Sequence, residues 1–234
     1  MFARRLTIAL AALAVAAVLE GLAAMWALSV ASDHVLRGRV ASDIALAFQE
    51  LTVAKLRLRA WFTEAQLYPE TAPEPALRLQ EDMRRTLDRL GSLTAQAIAL
   101  DPSDATRAEH EQRQDALSVL AESVASLRAT AVQVRPLPPG TQSRQAWQAA
   151  GELFDVSRGR DLRILLNDSI RREAVAVARE RAGADQALRW MRNLLLGAAA
   201  AIALAVAGIA VSCQAVGSFR VTVSWSSRVM ADLW

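Results

Sequence analysis

The residue types that build sites in small numbers are scarce in this chain. Its 234 residues include one cysteine, Cys213, so no disulfide can form within the chain and no cysteine cluster can hold a metal. The two histidines, His34 and His110, lie far apart in sequence. Lysine is nearly absent. All of the 27 basic residues except Lys55 are arginine, which reads as the codon bias of a GC-rich genome. Acidic residues are interspersed among them, the net charge is only +3, and no long block of one sign points to nucleic acid or another polyanion. A glycine-rich phosphate loop, a zinc-binding helix motif and a G-x-S-x-G elbow are all missing. No catalytic, cofactor-binding or metal-ligating residue is therefore expected, and any ligand is unknown.

Apolar sequence is plentiful and unevenly placed. Two long runs, Leu6 to Val30 and Leu194 to Val211, bracket a polar, helically striped middle. Crossing a hydrocarbon core takes about 20 apolar residues, so each run suits a membrane helix. The expected order is a cytoplasmic N-terminus over 1–5, a first span over 6–30, an extracytoplasmic domain over 31–192, a second span over 193–212 and a tail over 213–234. Arg4 and Arg5 place the N-terminus in the cytoplasm. A cleaved signal peptide ending near Ser29-Val30-Ala31 is the rival, against which the first run is long. Trp26 and Trp190 fall at the outer ends of the spans, where tryptophan suits the headgroup level, while Arg189 and Arg192 run against the charge bias. Glu20 stands inside the first span, either hydrogen-bonded across a helix pair or tolerated toward one end. Gly197, Ala201, Ala205, Gly208 and Ser212 have spacing that permits close helix approach in the second.

The middle predicts four helices. The first carries the stripe Leu36, Val40, Ile44, Ala47, Leu51, Ala54, Leu58, Trp61, Ala65, whose steps of three and four keep one face buried. Tyr68 to Pro75, with three prolines, ends it, and Thr71 and Glu74 have capping-box spacing for the next. The second helix shows Leu79, Met83, Leu87, Leu90 and Ala97, and Asp101-Pro102-Ser103-Asp104 stops it. The third reads Leu117, Leu120, Val124, Leu127, Ala131, Val134 before a proline-rich break at Arg135 to Thr141. The fourth runs toward the second span through Leu166, Ile170, Ala174, Val177, Ala184, Leu188, Met191 and Leu195, with Gly151 and Gly159 able to divide it. No strand-like alternation is visible there. An all-α fold follows, with two transmembrane helices flanking an up-down-up-down periplasmic four-helix bundle.

Candidate ligand contacts are few. His110 extends the third stripe and reads first as a structural histidine, and His34 as an interfacial one. Arg57 and Arg59, Arg84 and Arg85, and Arg171 and Arg172 form pairs whose guanidinium forks suit carboxylates or phosphates. Most such arginines instead join acidic neighbours three or four residues away on a solvated face. Trp61 and Trp147 read as core anchors.

Paired spans, Trp26 and Trp190 at their outer ends, and long heptad-like helices together resemble the sensor portion of bacterial transmembrane receptors over roughly residues 1 to 212. Sensor histidine kinases with four-helix-bundle input domains are the nearer likeness and chemoreceptors the second. The resemblance implies a homodimeric inner-membrane module with a periplasmic domain, responding to an unknown small ligand or envelope protein and driving a kinase through a HAMP linker. The sequence departs from that pattern after Ser212. No proline or amphipathic linker follows, and Val216 to Arg228 turn to serine, valine and tryptophan, as a frameshifted or truncated frame would. No phosphoacceptor or ATP-binding region is expected in this chain. A small inner-membrane interaction protein is the alternative.

Overall fold

The computed structural model describes residues 2–68, 70–104, 106–134, 145, 148–149 and 151–231. Four long helices dominate them: α1 (Phe2–Leu67), α2 (Glu74–Leu100), α3 (Arg107–Val134) and α4 (Leu162–Ala231). The fold is all-α apart from a two-residue ladder ahead of α4, in which β1 (Val156–Ser157) pairs antiparallel with β2 (Arg160–Asp161). The expectation of a strand-free middle is corrected at this point. Arg158 and Gly159 take φ of 49° and 71°, the two left-handed residues of a tight hairpin turn. Glycine supplies one of them without steric cost, so Gly159 makes a turn before the helix and does not divide it. Asp161 then caps α4, its Oδ1 accepting from the N–H groups of Arg163 at 2.7 Å and Ile164 at 3.0 Å. These bonds, that from Ile164 foremost, hold its carboxyl below the usual range.

The chain divides into two compact units, residues 33–183 and residues 1–32 with 184–234. In the first, one core draws on all four helices. Val40, Ile44, Phe48, Leu51 and Leu58 come from α1, Met83 and Leu90 from α2, Val119, Leu120, Val124 and Leu127 from α3, and Leu162 and Leu166 from α4. Phe154, from just before β1, packs edge-on against Phe62 with ring centroids 5.6 Å apart. The stripes read from the sequence for α1, α2 and α3 coincide with this core except at Leu36, which is exposed, and Ala65, which is half-buried outside it. Ala131 and Val134 lie outside the described side chains. The turn before α2 is built differently from the expected capping box. Pro73 is the N-cap and makes no side-chain bond, and the Thr71 hydroxyl donates backward to the Tyr68 carbonyl at 2.7 Å.

The fourth stripe needs the largest correction. Beyond Leu166 the inward face of α4 runs through Ser169, Glu173, Ala176 and Glu180, whereas Ala174 is exposed and Ile170 and Val177 are half-buried. Ile170, Ala174 and Val177 sit one position off the true face, which carries Ser169, Glu173 and Glu180 beside Ala176, while Ala184 of the same stripe is buried as expected. Lys55 is likewise buried in α1, and loss of solvent pushes its ammonium pKa down.

In the other unit α1 and α4 carry segments long and apolar enough to cross a membrane. Leu19, Leu22 and Met25 on α1 and Leu195, Leu196, Ile202 and Leu204 on α4 are exposed. Small residues make the contact, with Ala27, Ala31, Ala184 and Ala198 buried, so the face built on Gly197 and Ala201 is not the packed one. The Trp26 and Trp190 rings meet edge to face at 5.9 Å, and Glu20 is half-buried.

Candidate functional site

Unit 33–183 holds a partly buried polar network where α1, α3, α4 and the end of α2 converge. Its origin is a close approach of α1 to α4. The ring of His34 lies against Gly183 so closely that a Cβ there would sit 2.7 to 2.9 Å from three ring atoms, and a Cβ on Gly38 would meet that of Glu180 at 3.3 Å. In this setting His34 Nδ1 lies 2.7 Å from Glu180 Oε2.

Two guanidinium forks cross from α3 to α4. Arg113 donates from Nε and Nη2 to both oxygens of Glu173 at 2.6 and 2.9 Å, and Arg179 donates to both oxygens of Glu109 at 2.8 and 2.9 Å. The Arg179 fork holds the Glu109 carboxyl below its ordinary range, against the opposing effect of burial. The third donor edge of Arg113 faces His110 Nδ1 at 3.1 Å, while His110 Nε2 lies 3.1 Å from the Asp101 carbonyl. Guanidinium only donates and carbonyl only accepts, so these contacts use Nδ1 of His110 as acceptor and Nε2 as donor. Burial pushes the Asp101 carboxyl up, but hydrogen bonding from Ser103 and the Arg37 guanidinium at 3.5 Å outweigh it and hold the group low. A small cavity of about 40 Å³ opens among these groups, and the buried Nε of Arg37 has no hydrogen-bond acceptor there among the described residues.

Beyond the two forks, α3 and α4 line an open groove of about 320 Å³ that contains Gln112, Arg171 and Arg172. A larger groove of about 610 Å³ runs between α1 and α2, floored by Leu46, Val53 and Leu79 and edged by Arg57, Arg85 and Arg89.

The arginine pairs singled out from the sequence part company. Arg84 and Arg85 pair along α2 with Glu81 and Asp88, and the Arg84 fork pulls the Glu81 carboxyl down to about 2. Arg59 reaches Asp155 at 2.8 Å. Arg57 borders the larger groove and Arg171 and Arg172 the smaller. Trp61 is half-buried against the core, with its Nε1 donating to the Ala72 carbonyl at 2.9 Å. Trp147 and Cys213 lie outside the described side chains. Glu109, Arg113, Glu173, Arg179 and Glu180, which carry the network, were not legible as site residues. The signal that could have found Glu173 and Glu180 is their place, with Ser169, on the continuation of the Leu162–Leu166 face at steps of three and four.

No family model, curated protein or solved structure matches the chain. Among the described residues no three His, Cys, Asp or Glu side chains gather as a metal site would require.

Proposed function

We propose that this chain is the signal-sensing input module of a bacterial membrane receptor, of the kind that sensor histidine kinases carry. In this reading the apolar segments of α1 and α4 cross the inner membrane. Residues 33–183 form an up-down-up-down periplasmic bundle, and two copies act as a homodimer. The observation that carries the reading is the outward apolar surface of α1 and α4 in unit 1–32 with 184–234. Leu19, Leu22, Leu196 and Leu204 are each three-fifths exposed or more, at 61%, 60%, 63% and 74%. A water-soluble unit seldom leaves so much contiguous apolar surface uncovered, and lipid is the solvent that suits it.

Two further features support it. α1 and α4 each contribute residues both to the apolar unit and to the core of 33–183, so these two helices are the elements through which a change in the bundle reaches the spans. The outer face of α1 carries Val35, Arg39, Ser42, Leu46, Gln49, Val53, Leu56 and Ala60, all exposed and alternating by steps of four and three. That is the spacing of a seam between paired helices, and a second copy of α1 is the occupant it fits.

Single-cysteine labelling tests the topology, with Cys213 replaced by Ser. A membrane-impermeant maleimide applied to intact cells is expected to label Ser92→Cys and to leave Ala3→Cys unlabelled until the cells are broken. Labelling of both, or of neither, overturns the arrangement. Joining residues 1–212 to a cytoplasmic histidine-kinase core tests the role. Glu180→Gln is expected to change autophosphorylation at least severalfold, and an unchanged output points to the interaction-protein alternative.

A further inference from the structure

The geometry points to the α3–α4 groove as a binding site for a small oxyanion, a carboxylate or a phosphate, held by the guanidinium forks of Arg171 and Arg172. The argument is one of charge already spent. The two carboxylates that line the groove, Glu109 and Glu173, each give both oxygens to a fork of their own, from Arg179 and Arg113. With those pairs closed, Arg171 and Arg172 leave the groove with a surplus of two positive charges.

Arg172 is directed into that space by neutral groups only. Its Nη1 lies 3.5 Å from Gln112 Oε1 across the groove, and its Nη2 lies 3.3 Å from Ser169 Oγ. Among the described residues no carboxylate comes within 4.0 Å of either Arg171 or Arg172. This contrasts with α2, where Arg84 and Arg85 both close onto acids of their own helix. A guanidinium not engaged by a carboxylate presents paired N–H donors that match the two oxygens of an incoming anion. The volume of about 320 Å³ suits a ligand of a few heavy atoms. Such an anion would touch α3 and α4 together, beside the two ion pairs that join those helices.

This names a ligand class for the proposed input module and rests on that reading for its signalling role alone. Binding itself is the test. The full-length chain in nonionic detergent is titrated calorimetrically with succinate and, separately, with inorganic phosphate, which tells the two oxyanion sources apart. One of the probes is expected to bind saturably, one per chain, and to lose about tenfold or more in affinity in R171Q/R172Q, because each charge-assisted contact is worth roughly a factor of ten. R84Q on α2 is expected to bind as the wild type does. Binding of neither probe, or equal binding by R171Q/R172Q, overturns the inference. The single variant R171Q, with an expected loss of severalfold, carries the test if the double variant does not fold. Anion binding that leaves the kinase fusion silent would defeat the sensing role and leave the site standing.

Discussion

Arg113 and Glu173 form a two-pronged ion pair between α3 and α4 with both side chains withdrawn from solvent, at 12% and 3% exposure. It lies on the inward face of α4, one helical step beyond Ser169 and the apolar Leu166. Two charges taken out of water gain little net stability while paired, but either one alone is costly.

Glu173→Ala is accordingly expected to cost about 3–5 kcal/mol, since it strands a buried guanidinium. The double variant R113M/E173L, which removes both charges and keeps the volume, is expected to regain most of that loss. Thermal melts followed by helical circular dichroism check both, and a double variant no more stable than Glu173→Ala would contradict the account.

The seating of His34 on Gly183 predicts a steric effect. Gly183→Ala places a methyl within 2.9 Å of the ring and is expected to destabilise by about 1–3 kcal/mol, the usual cost of overpacking. Adding His34→Ala should relieve it. Gly38→Ala, whose nearest neighbour would be the Glu180 Cβ at 3.3 Å, is expected to be milder. Additive losses in the His34 and Gly183 pair would show that the contact does not couple them.

Glu109 predicts an acid limb. Its folded pKa is depressed by the Arg179 fork, so the unfolded chain takes up a proton first as pH falls. The stabilisation is complete above the unfolded value of about 4.3 and is lost as pH drops through the lower folded value. Wild type should therefore lose more stability between pH 5 and 3 than Glu109→Gln does, in melts taken at fixed ionic strength. Because both side chains are partly exposed, the difference should shrink in high salt.

The α1 seam predicts an association defect. In the proposed homodimer, Leu46→Glu with Val53→Glu puts like charges face to face between two copies and is expected to weaken association at least about tenfold, with helicity unchanged. Sedimentation in density-matched detergent reads this directly. Undiminished dimer would move the interface elsewhere.

How much of this was legible in sequence differs from helix to helix. Along α1, α2 and α3 the inward positions are mostly apolar, so Ile44, Leu51, Met83, Leu90, Leu120 and Leu127 declare their face by spacing alone. The ends of α1 and α2 were equally plain, because Pro69, Pro73 and Pro75 and then Pro102 cannot continue a helix. Along α4 the same rule selected Ile170, Ala174 and Val177, one residue away from the buried Ser169, Glu173 and Ala176.

The sequence by itself determined the helical class, the two apolar segments and the core of three helices, because hydrophobic period and proline are local properties of the chain. Only the tertiary structure decided which polar residues lie inside. Whether Glu173 is buried and Glu180 half-buried depends on whether Arg113 and His34, 60 and 146 positions away, come close enough to hydrogen-bond them. It likewise decided which arginines pair with acids and which, like Arg172, meet only neutral groups. An ion pair between distant residues has no period, so it leaves no mark on either helix until the two are packed together.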